Sequence, residues 1–387
     1  MKRRLRVALA LGAAFVALWF AIDFVREWRD RAWIEARIEA LRALGEPTTR
    51  EELEDPPVPD EANVFIALES IGALSWEEQL DAEQSFPSSG PDGRTSADRA
   101  RIAERLAQHP ERSAAIAAAL QRQSYRPPLI DYTEPWMREA HLGDAVQRRK
   151  VWRATRRLGV PIEIAEWLAF EIELETLRAE STPERERALG ALIDLAQRPP
   201  IVEYEDLLLR CRLHALALSS LGSVLEHPRS DAEAIEALLR RLAAQRPQLD
   251  PLRLAQAHRA ILFDLGSSRR SSELRAAIEE IDRIELDLRR EGRSSGLEFL
   301  GHDSVEIPER LAAEERFLGA VVAARRFEAR KRRWPKSAEE LADLLPAGWI
   351  PPPELLLEET DDVLRMQSPH LGETETLFET RLRTLAR

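Results

Sequence analysis

The sequence has 387 residues and a net charge of −12, enough chain for one large domain or two smaller ones. Residues 1–23 carry a net charge of +3, so the remainder carries −15. This argues against nucleic-acid binding, which needs a basic surface, and against broad docking on anionic lipid beyond the anchor itself. Because Cys211 is the only cysteine, an internal disulfide is excluded and a hydrophobic core must hold the domain together.

Arginine dominates the basic residues, with 52 Arg against 4 Lys, and Asn63 is the only asparagine. This bias is typical of a GC-rich genome, so clusters of arginine carry little functional weight by themselves. Richness in Ala, Leu, Glu and Arg with helical spacing favours an all-α fold.

The first predicted element is a transmembrane anchor at residues 1–25. Four basic residues within 2–6 precede an apolar run of 16 residues, Val7–Ile22. As a helix this run spans about 24 Å, and snorkelling of Arg6 and Asp23 can make up the difference from a bilayer core of about 30 Å. A cleavable signal peptide is one alternative, although residues 19–23 make a poor cleavage site, and a buried helix is another.

The short charged tail before the apolar run indicates the orientation of the anchor. Five arginines follow the apolar run within residues 26–42, so the count of basic residues on the two sides does not decide the orientation. We expect the six-residue tail to stay at the cytoplasmic face of the inner membrane. Residues 26–387 then lie in the periplasm or an equivalent extracytoplasmic space.

Residues 26–61 are predicted to form a helical extension and a Pro-rich acidic linker. The helix should end at Gly45 and Pro47. Thr49 and Glu52 have the spacing of a capping box, which predicts one turn of helix at the start of the linker. Residues 62–135 are predicted to be a small helical region, with helices at about 62–80, 96–108 and 110–123.

Residues 136–332 are predicted to be the main helical domain. Pro183 after Thr182, Pro251 after Asp250, and Ser230 three residues before Glu233 are typical of helix starts. Each helix carries one apolar stripe, and short connections favour an antiparallel bundle or a stacked array of helix pairs. We expect helices at about 136–157, 161–179, 183–198, 202–226, 231–245, 251–265, 271–290 and 306–332.

Residues 333–387 are predicted to contain a Trp334–Pro335 element and a short helix capped by Ser337 with Glu340. Residues 362–367 and 376–383 are compatible with a β-hairpin across 368–375. The second of these segments is equally compatible with a terminal helix.

Two segments carry a resemblance to a protein family. Residues 44–65, LGEPTTREELEDPPVPDEANVF, resemble a linker in uncharacterised membrane-anchored helical proteins of planctomycete-type bacteria. Residues 326–346, RFEARKRRWPKSAEELADLLP, resemble an element near the C-terminus of the same proteins, and more loosely one in type II secretion pseudopilins. The resemblance implies a helical extracytoplasmic domain of unknown role and transfers no site residues.

Two short segments match the residue pattern of a catalytic motif but lack the structural context that the motif needs. Gly292–Gly296 has the spacing of a G-x-S-x-G elbow around Ser294, but a charged helix end precedes it where the elbow needs a buried strand. Gly301–Ser304 contains His302, Asp303 and Ser304 side by side, whereas a catalytic triad needs groups that converge from separate elements. Both are interpreted as loops. Catalytic residues are unknown, and neither a cofactor nor a metal site is expected.

Several polar groups on predicted helices are interpreted as structural. Cys211 and His214 lie on the apolar stripe of one helix and could supply only half of the ligands of a zinc site. Core packing is therefore favoured over a metal or catalytic pair, and a partly buried, hydrogen-bonded His214 is a third possibility. His258 is interpreted in the same way. Five glutamates crowd residues 163–175, and a solvated face is expected there. The basic run Arg330–Arg333 is read as a solvated helix end, with an anionic partner as the alternative.

The leading hypothesis is a membrane-tethered extracytoplasmic helical scaffold or protein-interaction module, with the membrane bound through the single N-terminal helix and a protein as the other partner. One alternative is a hydrolase whose carboxylates and histidine come from separate helices. Two carboxylates meeting His141, His214 or His258 in one concave pocket would favour it. A third reading, a secretion-apparatus accessory protein, depends only on the Trp334–Pro335 element.

Overall fold

The computed structural model describes residues 2–54, 56–71, 100, 103–104, 106–128, 156–177, 183–201, 204–227, 230–247, 250–264, 270–291, 303–346, 349–350, 352, 355–360, 363–370 and 376–383, apart from a few side chains within helices and strands. The statements below concern these residues. The predicted helix at about 136–157 falls almost wholly outside them.

The chain is mostly helical, with a small antiparallel sheet at the C-terminus. Two 3-10 segments, Asp60–Ala62 and Ala338–Leu344, accompany the α-helices. The helices are α1 (Lys2–Ala43), α2 (Val64–Ser70), α3 (Arg112–Leu120), α4 (Arg156–Leu177), α5 (Pro183–Gln197), α6 (Tyr204–Glu226), α7 (Ala232–Ala244), α8 (Pro251–Asp264), α9 (Ser271–Glu291) and α10 (Asp303–Lys331), and the strands are β1 (Leu356–Thr360), β2 (Val363–His370) and β3 (Thr376–Arg383).

The chain divides into two compact units. Unit 1 comprises Met1–Pro56, Asp131–Leu142 and Asp250–Phe299, and so contains α1, α8 and α9. Unit 2 comprises Pro57–Ile130, Gly143–Leu249 and Leu300–Arg387, and contains the other helices and the sheet.

In unit 1, α9 runs parallel to the second half of α1. The backbone nitrogen of Ser271 donates to the carboxylate of Glu27 over 3.1 Å, and Arg37 donates to Asp282 over 2.8 Å. Because the residue numbers rise together on both helices, the two axes point the same way. The core between the three helices is apolar and consists of Ile34, Ala255, Leu262, Leu274, Ile278, Ile281, Ile284 and Leu288.

In unit 2, α6 is the central helix and packs against α4, α5, α7 and α10. Its predicted stripe is buried throughout, as Leu207, Leu218 and Leu221 have no exposed surface. The helical signals in the sequence therefore identify both the elements and the faces that form the core.

The start of α4 differs from the prediction. A break before Pro161 was expected, but α4 is continuous through it from Arg156. Leu158 and Ile162, on either side of the proline, are each only 1% exposed. Burial of the turn around Pro161 outweighs the hydrogen bond that the proline cannot donate.

The helix caps are partly as predicted. Asp250 accepts a hydrogen bond from the backbone of Arg253, as its position before Pro251 indicates. The cap of α7, however, is Asp231, whose carboxylate accepts from the backbone nitrogens of Glu233 and Ala234, and the predicted cap at Ser230 is wrong. Ser and Asp are both good N-cap residues, so the sequence alone did not show which of these two neighbours caps the helix.

The C-terminal hairpin is confirmed and belongs to a three-stranded sheet of order β1-β2-β3. β2 and β3 pair from Val363↔Arg383 to His370↔Thr376, so β2 is longer than predicted. Alternate residues of one face are buried, among them Leu364, Met366 and Leu382, and this face packs on α6 and α10. The sequence analysis did not identify β1, whose side chains are mostly exposed.

The Trp334–Pro335 element connects α10 to this sheet. Trp334 is 1% exposed, and Arg332, with a φ of 58°, turns the chain at the end of α10. Glu340 accepts from the backbone nitrogen of Lys336 and from Arg333, whose hydrogen bonds lower the pKa of Glu340 to about 2. Glu340 therefore caps the short 3-10 helix, whereas Ser337 makes no side-chain capping bond.

Candidate functional site

Two of the candidate residues, Cys211 and His214, lie on α6 in the core of unit 2. Among the described residues, His214 is the candidate that meets a carboxylate in this core. His214 Nε2 lies 2.7 Å from Glu315 Oε1 of α10, and both side chains are 1% exposed. Arg246, which follows α7, donates through Nε to both carboxylate oxygens over 2.9 Å and also contacts Glu315 through Nη2. We call these three residues the Glu315 cluster.

The electrostatics of the Glu315 cluster favour a charged carboxylate. Burial alone raises the pKa of Glu315, but hydrogen bonds from His214 and Arg246 bring it below its usual value. His214 Nδ1 is buried and has no hydrogen-bond partner in the described part of the chain.

This geometry fits a structural role better than acid–base catalysis. Both oxygens of Glu315 are already occupied, so the carboxylate has no oxygen without a protein partner to offer a substrate. The cluster contains one carboxylate, whereas the hydrolase hypothesis requires two beside a histidine. His214 is packed in the core, as the favoured interpretation has it, and it also makes the hydrogen bond of the third possibility, although its side chain is fully and not partly buried.

Cys211, one turn before His214 on α6, is 2% exposed. Burial raises the pKa of its thiol to about 12, so it stays protonated and is a poor nucleophile and metal ligand at neutral pH. Within the described residues, no group of three or more His, Cys, Asp or Glu side chains is placed to hold a metal ion.

The glutamates of α4 do not form a solvated face. Glu163 lies 2.9 Å from Arg112 of α3, and Glu166 lies 3.3 Å from Arg212 of α6. Glu171 accepts from Ser113 of α3, and burial raises the pKa of Glu171 despite this bond. The expectation of a solvated face is wrong because α4 is packed on both sides, and its carboxylates join it to its neighbours.

Other candidates lie at the surface or outside the described residues. His258 on α8 is exposed, so the expectation that it packs in the core is wrong. Arg330, Lys331 and Arg332 are exposed, as a solvated helix end predicts, while Arg333 forms a forked pair with Glu340 at 2.6 and 3.0 Å. His141, Ser294 and His302 lie outside the described part of the chain.

Unit 1 contains a larger set of charges, grouped around a buried arginine, that the sequence did not indicate. Arg259 of α8 has no exposed surface and lies 2.8 Å from Glu46, 3.2 Å from Asp282 and 2.7 Å from Glu285. Arg37 and Arg289 neutralise the remaining negative charge through Asp282 and Glu46. We call these six residues the Arg259 cluster.

The position of Arg259 gave a usable signal. It falls between Ala255 and Leu262, on the apolar stripe of α8. Burial raises the pKa of Glu285, although Arg259 opposes this shift. The three elements that supply the carboxylates and arginines are α8, α9 and the end of α1, so the cluster joins α1 to the bundle.

The large apolar side chains of residues 15–28 of α1 have no protein cover from the described residues. They are exposed, for example Phe24 at 72% and Trp28 at 67%. At 100° per residue these side chains point to all sides of the helix. From Asp30 onward the same helix is partly buried in the core of unit 1, through Ile34 and Leu41.

By length and composition, one helix within the described residues, Glu205–Glu226, is apolar enough to cross a membrane. It coincides with α6, and 61% of its most apolar window is buried, as in the core helix of a soluble protein. Most side chains of α1 before residue 14 lie outside the described part.

The chain matches no protein-family model, no curated protein and no solved structure.

Proposed function

We propose that the chain is a membrane-tethered helical scaffold or protein-interaction module, held by the N-terminal part of α1 with its body outside the cytoplasm. The observation that carries this proposal is the uncovered apolar surface of α1 between residues 15 and 28. A helix that is apolar on every side is stable either inside a protein core or inside a bilayer. No described residue covers this one, and this supports its insertion in a bilayer.

The continuity of α1 supports a short, stiff tether. The helix runs without interruption from Lys2 to Ala43, and its second half is fixed to α8 and α9 by the apolar core and the Arg259 cluster. Unit 1, attached in this way, stays close to the membrane surface. The basic tail at residues 2–6 supports a cytoplasmic N-terminus and therefore a periplasmic body.

The polar interior of unit 2 supports a scaffold more than a hydrolase. The Glu315 cluster and the glutamates of α4 bind side chains of neighbouring helices. Arg157 and Asp206 do the same, with two hydrogen bonds of 2.8 Å between them. These charged side chains hold neighbouring helices together, as expected in a rigid scaffold.

Membrane fractionation with an alkaline wash tests the tether. Replacing both Val16 and Phe20 with Arg adds about 5–7 kcal/mol to the cost of insertion and should move the protein from the membrane pellet to the soluble fraction. The matched control replaces Leu44 and Ile350, which are exposed apolar residues outside this segment, with Arg and should stay in the pellet. Wild-type protein in the soluble fraction would contradict the tether.

Cross-linking in membranes followed by purification of the tagged full chain tests the scaffold. The proposal predicts a stoichiometric protein partner that is lost from the soluble Val16→Arg, Phe20→Arg double variant. Recovery of the chain without a partner, together with hydrolytic activity abolished by Glu315→Gln, would favour the hydrolase instead.

A further inference from the structure

We propose that the membrane-proximal end of unit 1 binds the headgroups of anionic phospholipids through Arg26, Arg31 and Arg270, which we call the cationic collar. This inference rests on the proposed membrane tether and extends it from an apolar anchor to a specific contact with the lipid surface.

The register of α1 and α9 gives the depth of the collar. Ser271, the first residue of α9, donates through its backbone nitrogen and its hydroxyl to Glu27, and Arg275 lies 3.0 Å from Asp30. The start of α9 therefore lies level with residues 27–30 of α1. The last exposed apolar residues of the tether, Phe24 and Val25, precede this level directly.

The spacing fits the headgroup layer of a bilayer. Residues 26–31 span about 7.5 Å of helix. The polar layer on each side of a bilayer is about 5–8 Å thick. Trp28, which is 67% exposed, lies in the middle of this stretch, and exposed Trp is typical of the boundary between hydrocarbon and water.

The charge at this level is complementary to phosphate. Arg26, Arg31 and Arg270 are exposed, and none has a carboxylate partner in the described residues. The neighbouring acids Glu27 and Asp30 are bonded within the protein, to Ser271 and Arg275. Asp23 and Glu273 are exposed carboxylates near this level, so the three arginines of the collar outnumber them.

Three arginines further along unit 1 do have carboxylate partners. Arg37, Arg259 and Arg289 each contact a carboxylate at 2.6 to 3.2 Å. Composition alone would produce unpartnered arginines anywhere on the surface. In unit 1 a set of three is found where a membrane tether would place the lipid phosphates.

The test uses the full chain in nanodiscs of phosphatidylcholine, with or without phosphatidylglycerol, and measures amide hydrogen exchange at residues 271–275. We expect phosphatidylglycerol to slow exchange about fivefold, because one arginine at an anionic surface contributes about 1 kcal/mol of binding free energy. High salt should remove this effect. Equal exchange in the two lipids, with the protein inserted in both, would overturn the collar. Failure to enter nanodiscs at all would contradict the tether instead.

A triple variant, Arg26→Gln, Arg31→Gln and Arg270→Gln, should lose the lipid dependence but keep its insertion and its melting temperature in detergent. The matched control neutralises Arg330, Lys331 and Arg332, three exposed cations of unit 2, and should keep the full effect. An effect lost equally in both variants would show attraction by overall charge and would overturn the specific role of the collar.

Discussion

Arg259 and Glu46 lie 2.8 Å apart although 213 residues separate them in the sequence. Glu46 follows the end of α1, and Arg259 lies in the middle of α8 with no exposed surface. Burial alone raises the pKa of Glu46, but hydrogen bonds from Arg259 and Arg289 lower it overall. This pair therefore fixes the proposed tether to the first unit.

Replacing Arg259 with Met should destabilise the chain by about 3–5 kcal/mol, because three carboxylates lose a buried cation. Urea denaturation of the full chain in detergent measures this change. Arg283→Met on α9 is the control: its side chain is 65% exposed and pairs with Glu280, so its removal should cost less than about 1 kcal/mol. Equal stability of the two variants would show that the Arg259 cluster does not hold α1.

Removal of the Glu315 carboxylate should likewise cost about 3–5 kcal/mol, since it leaves Arg246 without its anion and His214 without its acceptor. The variant is Glu315→Ala, and the measurement is the free energy of unfolding. Glu309→Ala replaces an exposed glutamate of the same helix and should stay within about 0.5 kcal/mol of wild type. A near-neutral Glu315→Ala would refute a structural role for the Glu315 cluster.

Glu314 should make the stability depend on pH near neutrality. Burial raises the pKa of Glu314 to about 7, so between the unfolded value of 4.5 and this value the folded state holds the proton more readily. The free energy of unfolding should therefore fall as the pH rises through this window.

The Glu314→Gln variant should remove this slope. Since Glu314 keeps part of its surface in water, we expect a gain of about 1 kcal/mol at pH 8 that disappears by pH 4. Denaturation at several pH values measures the difference. A wild-type chain with the same slope as the variant would contradict the raised pKa.

Gly319 of α10 lies against the ring of Trp349, and a Cβ at position 319 would overlap that ring. Gly319→Ala should therefore destabilise the chain by about 1–3 kcal/mol, and Trp349→Leu in the same chain should recover part of the loss. Gly190→Ala on α5 is the control: nothing lies within 4 Å of its added Cβ, so the variant should be up to about 1 kcal/mol more stable. Thermal melts compare the three.

Much of the fold could be predicted because its signals are local. Apolar periodicity indicated α5 to α10 to within a few residues, and short β-compatible runs indicated the β2–β3 hairpin. The error at Pro161 has a physical reason, since burial that is invisible in one dimension stabilised a helix through the proline.

The partners of the buried charges could not be predicted, because they are distant in sequence. His214 and Glu315 are 101 residues apart, and periodicity does not indicate which helices become neighbours. Glu315 does lie between Leu311 and Leu318 on the buried side of α10, as Arg259 does on α8. A charge within an apolar stripe was the available signal, and the arginine-rich composition made it easy to discount.

The most direct test of the tether and its orientation is a pair of reporters fused after Arg387 of the full chain. One is an enzyme that is active only outside the cytoplasm, and the other fluoresces only inside it. The account predicts an active enzyme and no fluorescence. Fluorescence with an inactive enzyme would place the body in the cytoplasm and contradict the proposed extracytoplasmic scaffold.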